Sequence, residues 1–72
     1  MSENEIFLKK LGSKINKIRE EEGLSFQEMA LRCDLEKSSL VKLANQGTNV
    51  TALTLLKISK GLNVSLSEIF DF

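Results

Sequence analysis

Histidine, proline, tryptophan and tyrosine are absent from the 72 residues, and cysteine occurs once, as Cys33. The missing histidine removes the commonest general base and the commonest metal ligand. A lone thiol closes no internal disulfide and builds no zinc site, so no metal and no cofactor is expected. A single free cysteine fits a reducing compartment. Neither sign of charge is in excess: ten Lys and Arg stand against ten Asp and Glu. That balance argues against nonspecific polyelectrolyte binding, whose footprint is a basic domain, but leaves a local basic surface open. No stretch approaches the ~20 apolar residues of a membrane span. The acidic start, Met1-Ser2-Glu3-Asn4-Glu5, is not that of a secretory signal. A cytoplasmic protein with no membrane contact and no small-molecule substrate is expected.

Length sets a further bound. One domain over residues 1–72 is expected. A chain this short buries only ~60% of the surface its unfolded form exposes, so it has one modest core and no room for a deep catalytic cleft. With no histidine and no paired carboxylates, an enzyme is not expected.

What is present is a series of short apolar patterns with start and stop signals between them. From about Glu5 to Glu22, Leu8, Leu11, Ile15 and Ile18 recur at spacings of three and four, the stripe of an amphipathic helix. Lys9, Lys10, Lys14 and Lys17 lie off that stripe, and Gly23 can end the helix in the left-handed conformation. Ser25 and Glu28 have the Ser-x-x-Glu spacing of a capping box, which opens a second helix with Met29, Ala30 and Cys33 on its apolar face. Asp34 favours a turn, and Leu35 in that turn is expected to be buried between two helices. A third helix follows, with Leu40 and Leu43 inward and Lys37, Ser38, Val41, Lys42 and Asn45 on the opposite side. Gln46-Gly47-Thr48-Asn49 reads as a polar loop. Thr51 can cap a fourth helix carrying Leu53, Leu55, Leu56, Ile58 and Leu62, and Asn63 can end it. Ser65 and Glu68 form a second capping box before a short fifth helix with Leu66, Ile69 and Phe70. The fold class is therefore all-α.

The order and spacing of these pieces resemble the Cro/Xre-type family of phage-repressor-like helix-turn-helix domains. The resemblance is carried by Leu11-Gly12-Ser13-Lys14-Ile15 with Ile18-Arg19, Gly23-Leu24-Ser25, Glu28-Met29-Ala30, Leu35, and Ser38-Ser39-Leu40. It closes on Leu55-Leu56-Lys57-Ile58-Ser59-Lys60-Gly61-Leu62-Asn63-Val64-Ser65-Leu66. It runs without gaps from about Leu11 to Phe70. It implies a compact five-helix, lambda-repressor-like domain in which the third helix enters the major groove of double-stranded DNA. The base-facing candidates it implies are Glu36, Lys37, Ser38, Val41 and Lys42. Phosphate contacts are implied at Ser25, Ser39, Asn45, Gln46, Gly47, Thr48 and Asn49. It also implies a homodimer on a palindromic operator. The last helix is the candidate dimer surface, through Ile69, Phe70 and Phe72; the alternative is that Ile69 and Phe70 close the core and Phe72 is loose.

Each candidate has a physical reason. A lysine such as Lys42 donates to guanine acceptors, Val41 offers an apolar contact to a thymine methyl, and Glu36 can accept from a cytosine amine. Ser25 stands at a helix N-terminus, where free amides and the dipole favour an anion. Four departures from the family pattern bear on affinity. Phe26 replaces a phosphate-clamping glutamine, and Ala44 replaces a glutamate that pairs with the arginine of helix one. Glu36 stands where Ser or Thr is usual, and Asp34 where glycine is common. With Ala44 in place, Arg19 needs another acceptor or turns to solvent, where a phosphate is open to it. Two functions follow: a sequence-specific DNA-binding transcriptional regulator, or a protein-interaction module that keeps the fold with weak or no DNA binding.

Overall fold

Serine and threonine set the starts of four of the five helices and left-handed residues set most of their ends. The computed structural model describes residues 1–72 and consists of α1 (Glu3–Glu21), α2 (Phe26–Cys33), α3 (Lys37–Gln46), α4 (Ala52–Leu62) and α5 (Leu66–Ile69). The first helix begins two residues earlier than the apolar stripe indicates. The reason is a capping box: the Ser2 hydroxyl accepts from the Glu5 amide at 3.2 Å, and the Glu5 carboxylate accepts from the Ser2 amide at 3.3 Å. A second box joins Ser25 and Glu28 at 2.9 and 3.1 Å. Thr51 accepts from the Thr54 amide at 3.1 Å. At α5 the expected box is half formed, because Ser65 accepts from the Glu68 amide but Glu68 does not reciprocate.

Asp34 ends α2 with φ 53°, Gly47 ends α3 with φ 65°, and Asn63 ends α4 with φ 55°. Aspartate and asparagine are the non-glycine residues that adopt this conformation most readily, so Asp34 keeps the tight turn between α2 and α3.

Twelve apolar side chains form one core, drawn from all five helices and the α1–α2 link: Leu11, Ile15 and Ile18, then Leu24 of the link, then Met29, Ala30 and Cys33, then Leu40 and Leu43, then Ile58 and Leu62, and finally Ile69. Leu35 is half-buried at its edge, less enclosed than expected. Ile69 is 0% exposed. It closes the core and has no surface to offer a partner, which removes it from the expected dimer contact. Phe70 and Phe72 remain partly exposed, and Phe72 is not loose. Its ring lies 5.7 Å from that of Phe7, which also stacks on Phe70 at 6.3 Å. On α4 only Ile58 and Leu62 are fully buried, whereas Leu53 and Leu56 face outward.

Two close backbone approaches fix α3 against α1. A Cβ on Gly12 would lie 2.1 Å from the Leu43 carbonyl oxygen. A Cβ on Gly47 would lie 2.7 Å from the backbone of Lys9. Only a residue without a side chain permits either contact.

Candidate nucleic-acid interface

On α3 the buried pair Leu40 and Leu43 points into the core, and this settles what the rest of the helix presents. Ser38, Lys42 and Asn45 follow one another at spacings of four and three, so they form one row on the opposite face. All three are exposed, as are Glu36, Lys37, Ser39 and Gln46. Val41 and Ala44 are half-buried on the flank. The row is polar and carries the positive charge of Lys42. Neither Lys37 nor Lys42 is neutralised within the protein, whose single ion pair joins Lys57 to Asp34 at 3.7 Å.

The phosphate-contact candidates divide into two places. Ser39, Thr48 and Asn49 meet in a groove of about 300 Å³ between α3 and the start of α4, together with Thr51, Thr54 and the base-facing candidate Lys42. Asn45 and Gln46 lie exposed at the end of α3, while Gly47 and Thr48 are half-buried and Asn49 is exposed. Ser25 is separate, at the start of α2. Its capping box leaves the Phe26 and Gln27 amides as the free donors of the first turn, since Ser25 and Glu28 satisfy each other. The Ser25 amide donated to Glu28, helped by the Ser25 hydroxyl and by the charge of Arg32, holds the Glu28 carboxyl below its ordinary value. An anion arriving at this helix start therefore meets a carboxylate already seated beside it. Glu36 caps α3 by position only, without a side-chain bond. Its charge still complements the dipole of the helix start.

Arg19 is not open to a phosphate, contrary to one expectation from the sequence. Its guanidinium donates to the Leu24 carbonyl and, at 3.0 and 3.1 Å, to the Asn16 side-chain oxygen. It also lies 4.1 Å above the centre of the Phe26 ring. Two of the departures thus answer each other. Ala44 takes away the arginine's carboxylate, and Phe26 supplies a ring face that attracts the same cation. Asn16, unmarked in the sequence, is the third member; its spacing of three from Arg19 on one helix face was the available signal. Lys9 was also missed as a neighbour of the loop after α3, because only the Gly47 packing brings it there.

A short helix pair joined by a tight turn, with a free polar row on the second helix, defines a DNA-binding regulator of the helix-turn-helix class. Comparison with known proteins agrees. A helix-turn-helix family model matches residues 15–69. The control protein C.MunI of a Mycoplasma species is 37% identical over 63 residues, covering 86% of this chain and 85% of that protein. Among solved structures, the restriction-modification controller protein C.AhdI from Aeromonas hydrophila superposes with a TM-score of 0.84 at 27% identity, over 88% of this chain and 96% of that one. The wild-type restriction-modification controller protein C.Esp1396I superposes with a TM-score of 0.82 at 31% identity, over 90% of this chain and 84% of that one. The chain belongs to the Cro/C1-type helix-turn-helix family of DNA-binding transcription regulators.

Proposed function

We propose that this chain is a controller of restriction-modification genes that binds a two-fold operator as a homodimer. The observation that carries the reading is the free row Ser38, Lys42 and Asn45 on α3, in a chain matched over 86% of its length by a control protein. In this role α3 lies in the major groove. Lys42, Lys37 and Ser38 meet base edges, with Glu36 and Val41 at the margins of that contact. Ser39, Asn45, Gln46 and the amides of Gly47, Thr48 and Asn49 hold the phosphates, and Ser25 adds one from the start of α2. The half-exposed rings of Phe70 and Phe72, backed by Phe7, are the part of the C-terminal segment that a second copy can cover. Such a regulator works in the cytoplasm beside its DNA and catalyses no reaction.

Selection of binding sites from random duplex DNA tests the proposal. The expected product is a palindrome with half-sites about 34–36 Å apart, or a multiple of that spacing. Lys42→Ala is expected to weaken binding and relax one base position by about 1–3 kcal/mol. Failure to enrich any sequence, with no shift of random duplex at low salt, refutes the DNA-binding role; a monomeric mass at high concentration refutes the dimer.

A further inference from the structure

One stripe on the outer face of α1 has no partner within the fold. Glu3, Phe7, Lys10, Lys14, Lys17 and Glu21 follow one another at alternating spacings of four and three, so they share one face of the helix. Lys14 is half-buried and the others are exposed. Gly12, where α3 packs, stands about two and a half turns from both Glu3 and Glu21 and so faces the opposite way. No charge in the stripe is ion-paired, since the only ion pair in the protein lies elsewhere. Lys10, Lys14 and Lys17 line a groove of about 490 Å³ walled by Asp71 and Phe72, yet Asp71 comes within ion-pair distance of none of them. Like charges at these spacings destabilise a helix, so the lysines burden the fold. Phe7 joins the stripe to the aromatic cluster, through Phe70 at 6.3 Å and Phe72 at 5.7 Å.

We propose that this stripe is a two-fold contact between two copies of the chain, in which Lys14 of each copy meets Glu3 of the other and Lys10 meets Phe7. This rests on the homodimer proposed above and names the charged part of its contact. Two features select a second copy as the occupant. One is charge complementarity. In a two-fold contact, where residue i meets j, j also meets i. Two α1 helices packed antiparallel about an axis between Leu8 and Lys9 set Lys14 opposite Glu3 and Lys10 opposite Phe7, twice over. The first pair joins opposite charges, and the second sets a cation against a ring face that attracts it. An axis at the middle of the stripe would instead set Lys10 against Lys14 and Glu3 against Glu21, like against like. The other feature is continuity. The axis between Leu8 and Lys9 runs beside Phe7, so the same contact covers the rings of Phe70 and Phe72 that pack on it. The result is an aromatic centre with a charged rim, the usual build of a protein interface. Because α3 packs on the opposite face of α1, the contact leaves both α3 helices uncovered.

The test uses the full chain and reads the dimer dissociation constant by sedimentation equilibrium at low salt. K14E and E3K should each weaken the dimer about tenfold, because each puts two like-charged pairs in place of two attractive ones. The double variant K14E/E3K reinstates both pairs with their signs exchanged and should return to within about threefold of wild type. Within one chain Glu3 and Lys14 stand about 16.5 Å apart along the helix, so only a contact between copies gives that recovery. Thermal unfolding followed by circular dichroism shows that each variant folds. E3K loses a favourable charge at the start of α1, and the double variant carries the same loss, so weakening of E3K through the fold alone would persist in the double. Single variants that dimerise as tightly as wild type, or a double variant as weak as the weaker single, overturn the α1 contact while leaving a dimer through Phe70 and Phe72 intact. A wild type that stays monomeric at high concentration overturns both.

Discussion

Gly12→Ala separates packing from helix propensity by sign. By propensity alone, replacing a glycine in the interior of α1 with alanine stabilises by about 1 kcal/mol. The packing says otherwise. The new Cβ would sit 2.1 Å from the Leu43 carbonyl oxygen, where contacts below 3.0 Å essentially never occur. The opposing atom is backbone, so α3 must retreat from α1 by close to 1 Å; no side chain can rotate away instead. Overpacking of this kind costs typically about 1–3 kcal/mol. We place this case at the upper end, giving a net loss of about 2 kcal/mol after the propensity gain. A chain of this size has about 4–11 kcal/mol in total, and such a loss corresponds to a fall of about 8–16 °C in melting temperature. Thermal and urea unfolding followed by circular dichroism measure it directly. Because α3 carries the row proposed to meet DNA, operator affinity should on that proposal fall further than global unfolding explains. A variant as stable as wild type, or more stable, would refute the packing argument.

Other expectations follow from the α1–α2 corner. In a double-mutant cycle, Arg19→Ala and Phe26→Ala should couple by about 1 kcal/mol, since the cation lies over the ring in a partly buried setting; additive losses would mean that the ring contributes packing alone. Glu28 has its carboxyl held below 4.5 in the folded chain by Ser25, so it contributes stability above that pH and loses it as pH falls through the lowered value. The stability difference between wild type and Glu28→Gln, measured by urea unfolding, should therefore shrink from neutral pH toward strong acid, and a difference that holds constant across that range contradicts the assignment.

Most of the fold was legible because local chemistry and apolar spacing agree. Ser25, Thr51 and Ser65 stand at helix starts, and Asp34 and Asn63 at helix ends, where residue type alone places them. Leu40 and Leu43 orient α3, and with it the row Ser38, Lys42 and Asn45. Ser2 was overlooked because its box precedes the first apolar residue. Leu53 and Leu56 were ambiguous because α4 is apolar on more than one face, so spacing does not say which face the core takes. Of the Arg19 clamp only the Asn16 spacing was legible; the contact with Phe26 was not. It joins residues on two helices through a ring whose neighbour is decided by the path of the chain at Gly23 and Leu24. Ile69 was misplaced for a related reason: a residue at the edge of a small core and one at an interface carry the same apolar signature, and only burial tells them apart.

The single ion pair has a practical consequence. Lys57 and Asp34 meet at 3.7 Å, with the Asp34 side chain 96% exposed, and a pair of that kind contributes little to stability. The fold is held by apolar packing and helix caps, and added electrolyte has almost nothing in it to weaken, whereas its hold on a polyanion weakens steeply. Complex formation and unfolding therefore answer to different variables. A cell whose ionic conditions change alters how much operator is occupied without altering how much folded protein it has.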